Sequence, residues 1–133
     1  ITSNIVRSAN KYRTIIFFNK INQKKIKTLK NLKIKLVKAH LDKDGNFDLE
    51  NILVKIRLLG FSRVFLETGL NLTTNFLNND LVDDFKLFIS NKKIRKNGTN
   101  SFRKNIKLFL DKKKFINEKV NLFGDKLISY RIK

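Results

Sequence analysis

One segment of the chain combines residue types that can bind an anion. Val64-Phe65-Leu66 is a short apolar run that predicts a strand ending at Glu67, and a helix is predicted from Leu70, after Gly69. The first N–H groups of a helix have no partner inside it and lie at the positive end of its dipole, so they can bind a pyrophosphate. Glycine allows a close approach that any Cβ would block. The pattern predicts a ligand site, although the same succession also occurs in purely structural turns.

Glu67 is the residue of this segment that could contact a ligand through its side chain. It stands at the predicted carboxyl end of a strand, where α/β folds place ligand contacts, and it is one of only three glutamates. The chain has no cysteine, and its single histidine, His40, has no partner at the spacing of a catalytic triad or a metal site. A catalytic triad and a metal site built on cysteine or histidine therefore have no support in this sequence.

Alternating elements are predicted around this segment, in the order β-α-β-α-β-α-β followed by a hairpin. The predicted strands are Thr14–Phe18, Leu32–Val37, Val64–Leu66 and Phe85–Ile89, and the hairpin strands are Phe115–Leu122 and Lys126–Ile132. The predicted helices are Ile21–Asn31, Leu49–Leu59 and Leu70–Asn78. This order predicts a mostly parallel sheet flanked by helices, with antiparallel strands at its C-terminal edge.

Local signals mark several boundaries. Asp48 is a good N-cap for the second helix, Gly60 is its expected C-terminal stop, and Asp44-Gly45 is an expected turn. Lys92–Lys104, which is basic and contains glycine and asparagine, is predicted to be a mobile loop.

The charge is strongly positive and leaves a second class of function open. Lys and Arg number 30 against 11 Asp and Glu, a net charge of +19, which would favour a nucleic-acid-binding module. However, Lys outnumbers Arg 23 to 7, whereas phosphate and base recognition favours Arg. The densest lysine run, Lys24–Lys38, ends in an alternating pattern typical of a strand with one solvated face. We therefore expect a small-molecule partner rather than nucleic acid.

Length and hydropathy limit the architecture. The 133 residues predict one domain, since a domain has about 150 residues on average. No apolar run reaches the roughly 18 residues of a membrane span. Because the chain begins at Ile1 and contains no methionine, we interpret it as a fragment of a longer protein.

Specific motifs then resemble a known family, the reductase domain of the bifunctional riboflavin-biosynthesis deaminase–reductases. The similar stretches are Asp48-Leu49, Leu59–Gly69, Leu72, Phe76-Leu77, Leu81–Phe85 and Leu87–Ile89, with a softer match at Val120–Leu127. The resemblance implies a dihydrofolate-reductase-like fold that binds NADPH. It also implies reduction of 5-amino-6-(5-phosphoribosylamino)uracil to the ribitylamino form, a hydride transfer in which the cofactor supplies the reactive atom.

The resemblance also assigns residues. It makes Glu67 a substrate contact and Asn19 a cofactor contact, and it makes Asp83 and Asp84 a structural turn. In the family, one segment surrounds the NADPH phosphates. The resemblance implies that the corresponding residues of this chain are Gly69, Leu70, Asn71, Leu72, Thr73, Thr74 and Asn75.

This chain departs from the family pattern at three positions. Thr68 replaces a glycine, Leu70 replaces a proline and Asn71 replaces a threonine.

The resemblance further implies a cytoplasmic homodimer. It places the family's first reductase strand and its deaminase domain before Ile1. A related reductase acting on another pyrimidine or a pterin-like substrate stays open, because one fold serves several substrates.

Overall fold

The computed structural model describes residues 3–92, 102–120 and 123–133. They belong to two units, Ile1–Val64 and Phe65–Lys133. The elements in chain order are α1 (Asn4–Arg7), β1 (Ile15–Phe18), α2 (Gln23–Asn31), β2 (Lys35–Lys38), α3 (Leu49–Leu58), α4 (Leu70–Asn78), β3 (Asp84–Ile89), α5 (Phe102–Leu110), β4 (Phe115–Asn117) and β5 (Lys126–Arg131). The chain is thus a mixed α/β protein, as predicted.

The first unit contains a parallel β-α-β unit. β1 and β2 pair in parallel, with Ile15 opposite Lys35, and α2 connects them. Parallel neighbours need such a crossover because the chain must return to the end of the sheet where it started. Leu29 of α2 is buried with Ile34 and Ala9, so the helix covers one face of the strand pair. The predicted parallel pairing is confirmed for these two strands.

Local chemistry sets the ends of α2. The Asn22 side chain accepts a hydrogen bond from the Lys25 N–H at 2.8 Å, so the helix begins after this cap, later than predicted. Lys33 has a φ of 60°, which ends the helical geometry. β2 therefore also begins later than the alternating pattern predicts.

The signals around α3 are confirmed. Asp48 accepts a hydrogen bond from the Asn51 N–H at 2.9 Å, and Gly60 follows the helix at a φ of +92°, which glycine adopts without strain. In the turn before α3, the Asp42 side chain accepts from the N–H groups of Asp44 and Asn46, both at 2.9 Å.

The second unit contains an antiparallel sheet with the strand order β3-β5-β4. β5 pairs with β4 as the predicted hairpin, with Phe115 opposite Tyr130, although β4 ends at Asn117 and residues 121–122 lie outside the described range. β3 also pairs antiparallel with β5. The predicted mostly parallel sheet is therefore wrong for the described residues, because the returning hairpin strand, rather than a crossover strand, lies beside β3.

A helix that the sequence did not predict builds the core of this unit. Ile106 and Leu110 of α5 are buried with Leu77 of α4 and Ile132. The predicted mobile loop Lys92–Lys104 is wrong at its end, where α5 begins at Phe102, and residues 93–101 lie outside the described range. The helix forms because its apolar side chains complete this core. The sequence did not predict it because basic residues dominate the preceding segment.

The predicted strand Val64–Leu66 is not formed. The segment is irregular from Phe61 to Gly69, and its large side chains are exposed, Phe65 by 81%. Among the described residues no strand pairs with it. An apolar run becomes a strand only when another backbone takes up its hydrogen bonds, and the run alone does not specify that partner.

None of the helices in the described ranges is both long and apolar enough to cross a bilayer.

Candidate functional site

The N-terminus of α4 lies where the sequence predicts a ligand site. Gly69 is the N-cap residue, with φ −75° and ψ 170°, and no side chain caps the helix. The Thr73 N–H donates to the Gly69 carbonyl at 3.2 Å, the first bond of the helix. The N–H groups of Leu70, Asn71 and Leu72 precede that bond and, within the described part of the chain, have no protein acceptor. Three donors thus remain available at the positive end of the helix dipole.

Gly69 leaves open space beside these donors. A Cβ placed on it would meet no atom within 4 Å. Its φ of −75° is one that any L-residue adopts, so neither the backbone conformation nor packing within the described residues requires glycine here. The described residues therefore leave the backbone at Gly69 open to a close approach.

The body of α4 fixes the position of its N-terminus. Phe76 and Leu77 are buried, and Leu70 packs against the same core cluster. The Leu70 side chain is therefore committed to the core, and only its N–H is free for a ligand. Thr73 and Thr74 are half-buried and carry hydroxyl groups.

The other residues assigned to this segment are solvent-accessible. Asn71 and Asn75 are exposed, Leu72 is 38% exposed, and the Asn75 carbonyl accepts a hydrogen bond from Asn79 Nδ2 at 2.8 Å. The Asn71 side chain has no hydrogen-bond partner within the described ranges, so it is free to donate to a ligand.

Glu67 stands in the irregular segment two residues before Gly69, not at the end of a strand. Its carboxylate is exposed and, in the part of the chain that the structure describes, accepts no hydrogen bond and forms no ion pair. The neighbouring Thr68 hydroxyl contacts only the Gly69 carbonyl, at 3.5 Å. Glu67 is therefore an acceptor without a structural partner, close in the chain to the free N–H groups.

Asn19 lies in the first unit, just after β1. Its Nδ2 donates to the Ala39 carbonyl at 3.1 Å, and Ala39 in turn donates its N–H to the Phe18 carbonyl at 2.8 Å. The side chain thus ties together the carboxyl ends of the two parallel strands. It also lines a cavity of about 780 Å³. Its amide nitrogen has a structural role, which leaves Oδ1 for a ligand.

Two lysines of the same cavity were not singled out by the sequence. Lys20 and Lys25 line it together with Asn19. Each is one of many lysines in a basic stretch, so neither composition nor spacing could distinguish them from surface residues. Only their position around the cavity does so.

Asp83 lies before β3, in the predicted turn, whereas Asp84 is the first residue of the strand. The Asp83 carbonyl accepts from the Ile132 N–H at 2.8 Å, and Asp84 begins β3 and forms an ion pair with Arg131 at 3.3 Å.

Comparison with known proteins shows the family of the chain. The profile of one family, the RibD C-terminal domain, matches residues 1–108, which include Asn19, Glu67 and the whole of α4. No curated protein matches the chain. Because the profile covers most of the sequence, the chain belongs to the family of RibD C-terminal domains, the reductase domain of the riboflavin-biosynthesis deaminase–reductases, and is an oxidoreductase domain of that pathway.

Proposed function

We propose that the chain catalyses the NADPH-dependent reduction of 5-amino-6-(5-phosphoribosylamino)uracil to its ribitylamino form. The observation that carries the proposal is the uncapped N-terminus of α4, where three N–H groups lie beside the open space at Gly69. Family membership supplies the pathway. We further propose one dihydrofolate-reductase-like domain over residues 1–133, acting as a cytoplasmic homodimer with the family's deaminase as its partner domain.

The residues of α4 fit a dinucleotide phosphate bridge. The N–H groups of Leu70, Asn71 and Leu72 can donate to its oxygens, and the hydroxyls of Thr73 and Thr74 can supply further donors. Donors held by a packed helix need no rearrangement when the anion binds, which strengthens the interaction. Asn71 provides a side-chain donor at the position where the family has threonine. When bound, NADPH supplies the hydride.

Glu67 is proposed to orient the substrate. A carboxylate accepts hydrogen bonds only, so it suits the hydroxyl groups of a ribosyl chain or the N–H groups of a pyrimidine. Holding the reacting carbon in a fixed place is the main contribution a protein makes to hydride transfer. Asn19 is proposed as a cofactor contact through its free Oδ1.

Turnover with the named substrate tests the proposal. We expect NADPH oxidation in a one-to-one ratio with formation of the ribitylamino product. Glu67→Gln should raise KM about tenfold, since a hydrogen bond to a charged group contributes about 1.5–3 kcal/mol. The exposed Glu50, in the first turn of α3, provides the control Glu50→Gln, which should leave KM unchanged. Turnover of a pterin-like substrate instead would favour the related-reductase alternative. If the chain oxidises NADPH with none of these substrates, the proposal is contradicted.

One observation keeps the nucleic-acid alternative open. No lysine of the run Lys24–Lys38 forms an ion pair within the described ranges. That alternative predicts binding of random duplex DNA with a steep salt dependence that flattens when these lysines are replaced. We expect only weak binding with little dependence on salt.

A further inference from the structure

The strand β4 has an uncovered edge that carries no charge. Within the described ranges β4 pairs only with β5, so its other side is an edge of the sheet. Its residues are Phe115, Ile116 and Asn117, and the two apolar side chains are 57% and 68% exposed. The opposite edge strand, β3, contains Asp84 and Lys86, and charged residues of this kind discourage pairing with a further strand. Since β4 lacks this protection, it is the edge more open to another strand.

The hydrogen bonds to β5 determine which backbone groups of β4 face outward. The Glu118 N–H donates to the Leu127 carbonyl at 2.9 Å, so the backbone of Glu118 faces β5. Backbone groups alternate in direction along an antiparallel strand, so those of Ile116 also face β5, whereas those of Phe115 and Asn117 face away from the sheet. The outer edge of β4 therefore presents the N–H and C=O groups of these two residues to another backbone.

A second copy of β4 fits this edge in one antiparallel register. Outward-facing residues must lie opposite each other to exchange hydrogen bonds. A two-fold axis at Ile116 satisfies this condition, because it places Phe115 of each copy opposite Asn117 of the other. Both pairs can then exchange both of their N–H···O bonds, so the register uses every outward-facing group of the strand.

Charge supports the same register. It places Lys114 opposite Glu118 of the second copy, on the face of the sheet where the two Ile116 side chains meet. Lys114 is exposed and has no ion-pair partner in the part of the chain that the structure describes. Glu118 binds Lys86 and Ser129 through Oε1, which leaves Oε2 for a further cation. Opposite charges at directly opposed positions stabilise an antiparallel pair, and the two-fold axis forms this contact twice.

We propose that the edge of β4 pairs with β4 of a second copy of this chain, in antiparallel register about Ile116, and joins two three-stranded sheets into one. The inference names the surface of the homodimer proposed above and rests on that part of the proposed function, not on the reaction. Because each chain contributes the same edge, the assembly closes at two chains. Pairing also covers Ile116, a large apolar side chain that is exposed in the single chain.

Sedimentation equilibrium of the intact chain, without cofactor or substrate, measures this association. Asn117→Pro removes an outward N–H, and proline is tolerated at an edge position that gives no hydrogen bond to its own sheet. It should raise the dissociation constant of the dimer at least about tenfold, since each copy loses one backbone hydrogen bond across the interface. The matched control Asn117→Ala keeps the N–H and should change the dissociation constant little.

Charge reversal tests the register. Lys114→Glu and Glu118→Lys each place like charges opposite each other and should weaken self-association about tenfold. A mixture of the two variants should regain the affinity, because one chain then presents two acids to the two lysines of the other. Lys27→Glu makes the same change of charge at an exposed position of α2 and should change association little. Far-ultraviolet circular dichroism verifies that each variant is folded.

Each outcome supports or overturns the proposal. A dimer weakened by Asn117→Pro but not by Asn117→Ala, with recovery in the mixture, supports it. A chain that stays monomeric at about 1 mM, assembly beyond two chains, or a dimer insensitive to these variants would overturn it. Weakening without recovery in the mixture would overturn the Ile116 register.

The two proposals fail separately. Turnover of the substrate by a monomeric chain would overturn this inference alone. A dimer that responds to the variants as expected, in a chain that does not oxidise NADPH, would overturn the proposed reaction alone.

Discussion

The helices α2 and α3 of the first unit and the helix α4 of the second unit begin in different ways. In the first unit, Asn22 and Asp48 cap α2 and α3 with their own side chains. In the second unit, α4 begins at Gly69 with no side-chain cap, although polar residues are plentiful in this chain. A side-chain cap satisfies one of the unpartnered N–H groups of the first turn, whereas an uncapped end leaves all of them to water or to a ligand. The contrast separates the capped ends of α2 and α3 from the end of α4 that we propose serves ligand binding; the four-residue α1 also begins without a side-chain cap.

The two units also differ in the ion pairs that their basic side chains form. All three ion pairs found among the described residues lie in the second unit and join Lys86 to Glu118, Arg131 to Asp84 and Lys133 to Asp80. Basic residues of the first unit have no such partners in its described part. Surface ion pairs add little stability, so their main effect is on the local potential. Three basic residues of the second unit are thus paired with an acid, whereas none of the described basic residues of the first unit is.

The largest effect is expected in the core of the second unit, on α5, which the sequence did not predict. Leu110→Ala should reduce the free energy of unfolding by about 2–5 kcal/mol, because it leaves a cavity in the buried cluster. Leu108→Ala on the same helix is the control, since Leu108 is 69% exposed. Urea unfolding measures both changes. Equal losses would mean that α5 does not face this core as described.

The cap of α3 should have an intermediate effect. Asp48→Ala removes the 2.9 Å bond to the Asn51 N–H and should cost about 0.5–2 kcal/mol of stability. Gly69→Ala at the corresponding position of α4 removes no side-chain bond and should change stability less. Thermal unfolding compares the two variants, and a larger loss from Gly69→Ala would erase the distinction between the capped and the uncapped helix.

The smallest effect is expected at an exposed ion pair of the second unit. The hydrogen bond from the Ser129 hydroxyl, at 2.7 Å, and secondarily the charge of Lys86, lower the pKa of Glu118 below its ordinary value. A carboxyl whose pKa is lowered by folding stabilises the protein above its ordinary pKa and loses that effect as the pH falls through the folded value.

Glu118→Gln tests this pH dependence. It should lower the melting temperature slightly at neutral pH, and the difference from the unaltered chain should shrink in acid. Ser129→Ala removes the larger cause of the lowered pKa. It should also lower the melting temperature at neutral pH, by an amount that becomes smaller in acid. A difference that grows toward acid pH would contradict the assignment.

Local features were predictable because a few neighbouring residues determine them. Asp48, Gly60 and the Asp44-Gly45 turn act through their own backbone or side chain and lie as predicted. The hairpin was also predictable, since its two alternating runs flank a glycine. The same reasoning places α4 and its first turn correctly.

Features that depend on distant partners were not predictable. Val64–Leu66 has the composition of a strand but no strand beside it. β3 has the expected pattern, yet its pairing direction is set by β5, about forty residues later in the chain. The cavity lysines, likewise, differ from other lysines only by what the fold places around them.

Titration of the chain with NADPH, compared between the unaltered protein and Gly69→Val, tests the central claim most directly. The added side chain meets no protein atom within 4 Å at its Cβ and adopts an allowed φ, so folding should be preserved. It would occupy the approach to the free N–H groups of α4, and we predict that the affinity for NADPH falls at least about tenfold, as expected when charge-assisted hydrogen bonds are lost. An unchanged Kd in a folded Gly69→Val variant would show that the N-terminus of α4 does not bind the cofactor.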